Sequence, residues 1–90
     1  MASISIIIKG KVQGVFYRQS AKEKAMELGI TGQIKNLPDG RVYIIATGET
    51  DRLNKFAEWC KKGPARAIVS GIETRSEPLK NFDTFSIIRQ

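Results

Sequence analysis

The sequence predicts an α+β sandwich in which two helices cover one face of a mixed, mostly antiparallel sheet. Two observations predict it. Segments with the alternating or β-branched pattern of strands are interspersed with two segments whose apolar residues recur at helical spacing. Glycine- and proline-containing turns separate them in the order βαββαβ, with a short extra strand at the end. A chain of 90 residues allows one domain with a modest core, so residues 1–90 are assigned to a single domain.

The first predicted strand covers residues 4–12. Ile4, Ile6 and Ile8 alternate with less apolar neighbours, which gives the strand one face directed at the core. Gly14 follows it, and the absence of a side chain there allows a backbone geometry that other residues rarely adopt.

The first predicted helix covers residues 17–28. Ala21, Ala25 and Leu28 share one face at helical spacing, while charged residues occupy the other faces. Gly29 fits the position just past a helix end, where a left-handed backbone is common.

A hairpin is predicted next, with strands at residues 31–37 and 41–47. The turn at residues 38–40 combines proline, aspartate and glycine, each of which favours a turn for its own stereochemical reason. The second of these strands contains a strong β-forming run.

The rest of the chain adds a helix and two strands. Thr50 or Asp51 is expected to cap a second helix that runs to about Lys62. Strands are predicted at residues 67–74 and 82–88, the last of them short. The order of elements is the ferredoxin-like, split βαβ arrangement, with the first strand between the third and the fourth.

Composition restricts the chemistry. The net charge is +6 and the sequence pI is about 9.8, so the partner is expected to be an anion, either a small phosphate compound or a nucleic acid. The chain has no histidine, which excludes imidazole catalysis. Cys60 is its one cysteine, so no intrachain disulfide forms; a buried, inert thiol is expected.

The same sequence predicts a cytoplasmic protein. The apolar run near the start lacks the basic region and cleavage pattern of a signal peptide. No segment approaches the length of a membrane span.

The loop leaving the first strand is a candidate anion site. Residues 10–18, GKVQGVFYR, join a strand to a helix, where backbone N–H groups converge and the helix dipole favours negative charge. Arg18 would add a guanidinium group that matches phosphate oxygens. The alternative is structural: Gly14 serves a tight turn and Arg18 is a solvated side chain at the helix start.

Asn36 is a second candidate. Its amide carries both a donor and an acceptor, so it can hold a water molecule in one orientation, although it cannot act as a base near neutral pH. The alternative is that Asn36 only shapes the approach to the turn.

Three stretches resemble one known family. GKVQGVFYR, GQIKNLPDGRVYIIATG and GPARAIVSG are similar to the signature stretches of the acylphosphatase family, and the resemblance extends over essentially the whole chain. It implies that Asn36 positions the attacking water. The phosphate-binding residues that it implies are Gly14, Val15, Phe16, Tyr17 and Arg18, through backbone N–H groups and the Arg18 side chain. The family usually has an aromatic residue where this chain has Gln33.

The resemblance also implies a reaction. The substrate would be a small acyl phosphate, whose carboxyl–phosphate anhydride is hydrolysed by water without a metal, a cofactor or a covalent enzyme intermediate. The substrate's own phosphate oxygens could take the proton of the water. Inorganic phosphate and other small anions would bind to the same site, and the enzyme is expected to be a monomer that does not bind membranes.

Two other functions stay open at this point. Domains of this architecture can bind RNA on the open sheet face, but the third strand offers only Tyr43 as an aromatic residue. A non-catalytic sensor of phosphate or acyl phosphate could use the same loop, and only turnover distinguishes it from an enzyme. Trp59 and Phe56 are predicted to pack in the core rather than stack on bases.

Overall fold

The computed structural model of the protein describes residues 1–89. These residues form five strands and two helices in the predicted order. The elements are β1 (Ala2–Lys11), α1 (Tyr17–Glu27), β2 (Thr31–Asn36), β3 (Val42–Gly48), α2 (Thr50–Lys62), β4 (Ile68–Glu77) and β5 (Phe85–Ile87). Within this part of the chain, no helix is long and apolar enough to cross a membrane.

The strands form one mixed sheet in the order β4-β1-β3-β2-β5. β1 lies between β3 and β4, as the sequence predicted. The pairs β1–β3, β1–β4 and β2–β3 are antiparallel, and β5 runs parallel to β2. Since β1 and β2 are both antiparallel to β3, the strands β1, β2 and β5 all point the same way, and their carboxyl ends lie at one edge of the sheet.

The register of the strands places the predicted apolar residues on one face. Ile6 is paired with Ile44, and Ile44 with Ile34, so these three fully buried side chains lie side by side. The same core cluster contains Ala21 and Ala25 of α1, which confirms the predicted helix face. α2 contributes its own buried side chains, Leu53, Phe56 and Cys60. Both helices therefore cover the same face of the sheet, as predicted.

The opposite face is closed in part by the segment between β4 and β5. The main-chain N–H of Lys80 donates to Ser3 Oγ at 2.9 Å, and Thr47 Oγ1 donates to the Lys80 carbonyl oxygen at 2.7 Å. Ser3 Oγ and Thr47 Oγ1 lie 2.6 Å apart, so the Ser3 hydroxyl donates to Thr47. Ser3 and Thr47 are buried and satisfied. This segment covers part of the face that an RNA-binding domain of this architecture would offer.

The structure corrects one predicted helix cap. Thr50 is the first residue of α2, and the residue at the N-cap is Glu49, which has an extended backbone and makes no side-chain cap bond. The Glu49 carbonyl oxygen accepts the N–H of Leu53 at 2.9 Å, which starts the helix one residue earlier than the side-chain chemistry suggested. Asp51 lies in the first turn, where its charge complements the helix dipole.

Strand boundaries differ from the prediction by a few residues. β4 runs to Glu77 because it pairs with β1 as far as Ser3. β5 is limited to Phe85–Ile87, the residues that pair with β2.

Candidate active site

The loop between β1 and α1 has a special backbone. Gly14 has a φ of +74°, and a Cβ placed there would meet nothing within 4 Å, so glycine is favoured for its conformation rather than for space. Val15 anchors the loop because its side chain is buried in the core. Phe16 is also left-handed, with φ 63° and ψ 23°, and occupies the N-cap of α1.

This conformation directs N–H groups towards the space in front of the helix. The first bond that closes α1 runs from the Ser20 N–H to the Phe16 carbonyl oxygen, at 3.0 Å. The N–H groups of Tyr17, Arg18 and Gln19 precede it, and N–H groups at such positions have no partner inside the helix. Left-handed residues turn successive N–H groups to one side, which makes a concave anion site. The partial positive charge of the helix start adds to it.

A cavity of about 330 Å³ lies against this loop. Its walls include Gly14, Arg18 and Asn36, together with Ile87 and Arg89. A second cavity of about 450 Å³ adjoins it and shares Arg18, Asn36 and Arg89. The two stretches singled out in the sequence are therefore brought to one place at the edge where β1, β2 and β5 end. None of the residues of 1–89 that line either cavity is an aspartate or a glutamate.

Asn36 is the last residue of β2 and carries an unsatisfied atom. Its Oδ1 is buried and has no hydrogen-bond partner among residues 1–89. Leaving such an oxygen unpaired costs about 1–3 kcal/mol, so it is rare unless a ligand or an ordered water serves it. A carbonyl oxygen accepts hydrogen bonds, and it therefore suits a water O–H better than an anionic phosphate oxygen.

Gln13 joins the loop to the turn that follows Asn36. Its Nε2 donates to the carbonyl oxygen of Leu37 at 2.8 Å and to that of Arg41 at 2.9 Å. The Leu37 N–H also donates to the Arg41 carbonyl oxygen, at 2.8 Å, so both acceptors stand at the base of the turn. The sequence analysis gave Gln13 no role, because its partners are 24 and 28 residues away along the chain.

Arg89 is the second residue that the sequence analysis missed. It follows β5, and the Ile88 N–H donates to the Ile34 carbonyl oxygen at 2.8 Å, which carries the end of the chain along β2 towards Asn36. Arg89 is exposed and lines both cavities. It adds a second guanidinium group beside Arg18.

Sequence and structure both relate this chain to one family. A model of the acylphosphatase family matches residues 4–87. The chain belongs to the acylphosphatase family. An acylphosphatase of Methylococcus capsulatus is 41% identical over 90 residues, which cover 99% of this chain and 98% of that protein. The crystal structure of acylphosphatase from Bacillus subtilis gives a TM-score of 0.96 at 34% identity, covering 99% of this chain and 100% of that chain. An acylphosphatase structure from Coxiella burnetii gives 0.94 at 38% identity, covering 97% and 92%.

These relatives support acylphosphatase activity. The chain is thus an enzyme, a hydrolase that acts on acid anhydrides, and its substrate is a small acyl phosphate. The predicted fold is confirmed by the same structures.

Tyr17 anchors the start of α1 to α2 through its side chain. Tyr17 is 1% exposed, and its hydroxyl donates to the Cys60 carbonyl oxygen at 2.8 Å. The side chain is therefore a structural anchor, and only the backbone of Tyr17 can face an anion. Burial raises the pKa of the Tyr17 hydroxyl far above its usual range.

Cys60 is fully buried, which confirms the prediction of a buried thiol. Burial raises its pKa to about 12, although the nearby Tyr17 hydroxyl lowers it slightly. Since the thiolate is the nucleophile, this cysteine is inert near neutral pH.

Gln33 and Asp39 are not among the residues that line the two cavities of the candidate site. Gln33 is exposed on the sheet face opposite the helices, paired with Ile45, and neither active-site cavity includes it among the described residues. Asp39 shapes the turn: its carboxylate accepts the Arg41 N–H at 3.1 Å and Arg41 Nε at 2.7 Å, and the backbone bond is the main cause that lowers its pKa. The prediction of local turn chemistry for Asp39 is confirmed.

Proposed function

We propose that Arg18 and Asn36 divide the hydrolysis of an acyl phosphate between them. Arg18 and the backbone N–H groups of residues 14–18 bind the phosphoryl group, and Asn36 orients the water that attacks phosphorus. The products are a carboxylate and inorganic phosphate. The observation that carries this proposal is that Asn36, whose Oδ1 is buried without a hydrogen-bond partner among residues 1–89, lines the same cavity as Arg18.

The phosphoryl group is stabilised by charge and by fixed dipoles. Arg18 supplies a planar pair of donors that fits two phosphate oxygens, and the loop amides approach from the helix start. Donors held in place before the substrate binds need no reorganisation as charge develops in the transition state, which is the main source of catalysis in phosphoryl transfer.

The water needs orientation more than it needs a strong base. Asn36 accepts one hydrogen of the water and so fixes its lone pair towards phosphorus. The chain has no histidine, and the residues of 1–89 that form the cavity walls include no carboxylate. The proton therefore passes to an oxygen of the substrate's own phosphate. The carboxylate that leaves is stable as an anion, so the reaction requires no strong general acid, metal or cofactor.

The same proposal includes the setting of the enzyme. Residues 1–90 act as one acylphosphatase-like domain, in support of which residues 1–89 share a single sheet and one core cluster. The enzyme is proposed to work as a monomer, in support of which both candidate catalytic side chains come from the same chain and the site needs no residue from a second copy. We place it in the cytoplasm, where a lone reduced cysteine is usual.

Hydrolysis of benzoyl phosphate in the presence of a chelator tests the mechanism. The wild-type protein should turn over, and Asn36→Ala should lose most of kcat while inorganic phosphate still binds with similar affinity. Asn54→Ala, which removes an exposed amide on α2, is the matched control and should behave as the wild type. Near-normal turnover in Asn36→Ala would remove the oriented-water step, and an inactive wild type would leave the sensor function.

A further inference from the structure

Phe16 occupies a backbone conformation that does not suit it. Its φ of 63° and ψ of 23° lie in the left-handed region, where a bulky residue is a genuine outlier and glycine is at ease. It is the only residue other than glycine with a positive φ in the part of the chain that the structure describes. A phenylalanine at such a position needs a reason.

The Phe16 ring does not stabilise the fold. Phe16 is 71% exposed and does not belong to the core cluster. Although Phe16 is at the N-cap of α1, it makes no side-chain cap bond. The aromatic pairs found within residues 1–89 join Tyr17 to Trp59, and Phe56 to Trp59 and Phe85, without Phe16.

The ring does line the active-site cavity, which has two chemical characters. Arg18 and Arg89 give it positive charge, whereas Phe16 and Ile87 give it apolar surface. An acyl phosphate has the same two parts, an anionic phosphoryl group joined through one oxygen to an acyl group. If the loop amides bind the phosphoryl group, the acyl group lies within a few bond lengths of Phe16.

We propose that the Phe16 ring is the acyl-side wall of the site and favours acyl phosphates whose acyl group is aromatic or otherwise large and apolar. This inference rests on the proposed function of the loop as the phosphoryl cradle. Phe16 serves both parts of the substrate: its N–H belongs to the cradle, and its side chain contacts the acyl group. Contact with an apolar acyl group removes exposed ring surface from water, which stabilises the complex. An acetyl group is too small to cover the ring.

The test compares two substrates in each protein. The quantity measured is the ratio of kcat/KM for benzoyl phosphate to kcat/KM for acetyl phosphate. In Phe16→Gly this ratio should fall about two- to tenfold, the range that aromatic contact energies give. Phe16→Tyr keeps the ring and should keep the ratio of the wild type. Leu79→Gly, which removes another exposed apolar side chain from a loop, should also leave the ratio unchanged.

Folding is a separate measurement. Because glycine suits the left-handed backbone, Phe16→Gly should unfold at a urea concentration equal to or above that of the wild type. A ratio that is unchanged in Phe16→Gly, or that falls equally in Leu79→Gly, would overturn the inference. If the ratio is unchanged because kcat/KM falls equally for both substrates, Phe16 only supports the loop.

Binding without turnover separates this inference from the proposed function. Phenylphosphonate and methylphosphonate differ in their apolar group but carry the same anion. Phenylphosphonate should bind to the wild type more tightly, and Phe16→Gly should lose that difference. If neither acyl phosphate is hydrolysed but the difference in binding is present, the catalytic mechanism fails while the apolar wall stands. If the substrates are hydrolysed and both proteins bind the two phosphonates alike, the proposed contact of Phe16 with the acyl group is wrong, while the catalytic mechanism stands.

Discussion

Gln13 Nε2 lies 2.8 Å from the carbonyl oxygen of Leu37, and this bond joins the loop before α1 to the turn after β2. Gln13 belongs to the loop that precedes α1, and Leu37 directly follows Asn36. The second bond, to the Arg41 carbonyl oxygen at 2.9 Å, fixes the other side of the turn. One side chain therefore ties the loop that we propose to bind the phosphoryl group to the turn that follows Asn36.

We expect Gln13→Glu to lower kcat about ten- to a hundredfold, because displacement of a reacting group by about 1 Å has an effect of that size. A carboxylate at this position would face two carbonyl oxygens and repel them, so the turn that carries Asn36 would shift. The affinity for inorganic phosphate, measured by competitive inhibition, should fall less than kcat, although Gln13 lines the cavity and the new charge repels the anion.

Gln33→Glu is the control for Gln13→Glu. It makes the same chemical change and the same change in charge on an exposed part of β2. It should have the kcat of the wild type. If Gln13→Glu weakens phosphate binding by the same factor as it lowers kcat, then Gln13 supports the loop itself and does not position Asn36.

Arg18 should be needed for both phosphate binding and turnover. Loss of a charge-assisted hydrogen bond costs about 1.5–3 kcal/mol, so Arg18→Ala should raise the inhibition constant of phosphate about ten- to a hundredfold. Arg18→Lys keeps the charge but loses the planar pair of donors, so its inhibition constant for phosphate should lie between those of the wild type and Arg18→Ala. Arg75→Ala changes the net charge equally on exposed β4 and should bind phosphate as the wild type does. Equal weakening in Arg75→Ala would mean that overall charge, not Arg18, attracts the anion.

Local signals in the sequence were sufficient for most of the fold. Gly29 does adopt a left-handed backbone after α1, and Asp39 does bond to its own turn. Each of these depends on neighbours a few residues away, which a sequence displays directly. The alternation of isoleucines in β1 likewise fixed which face meets the core, because side chains alternate along any strand.

Contacts between distant residues were beyond the sequence. Gln13 has the composition of an ordinary loop residue, and only folding shows that it bridges to Leu37. Arg89 reaches the site because β5 is parallel to β2, a pairing that no local pattern displays. Phe16 could not be identified as left-handed, since the sequence signal for that conformation is glycine.

Two glycines should respond differently to alanine. At Gly32 an added Cβ would overlap with the Ile45 carbonyl oxygen on β3, far inside the van der Waals contact distance. This oxygen is a main-chain atom and cannot move alone. At Gly14 it would meet nothing within 4 Å, so only the left-handed backbone is unfavourable, by about 1–2 kcal/mol. Urea unfolding should show a much larger loss of stability for Gly32→Ala. Equal losses would mean that β2 and β3 can separate at this point.

The buried thiol of Cys60 should make the protein less stable in alkaline solution. Its pKa is raised from 9.0 to about 12 by burial. Between these values the unfolded chain releases the proton and the folded chain keeps it. The free energy of unfolding therefore falls as pH rises, by about 1.4 kcal/mol for each pH unit. Below pH 9 the Cys60 thiol keeps its proton in both the folded and the unfolded chain, so its ionisation no longer lowers the free energy of unfolding.

Cys60→Ala isolates this effect. The pKa of Tyr17 is raised mainly by burial and further by the neighbouring Cys60. Burial and the main-chain acceptor of its hydroxyl remain in the variant, so the main cause of the raised Tyr17 pKa is common to both proteins. The wild type should be the more stable protein at pH 8, because the variant leaves a small cavity, and its advantage should shrink between pH 9 and pH 11 in urea unfolding. A thiol reagent should modify Cys60 only after unfolding. A constant difference in stability across this range would show that the folded protein admits the thiolate.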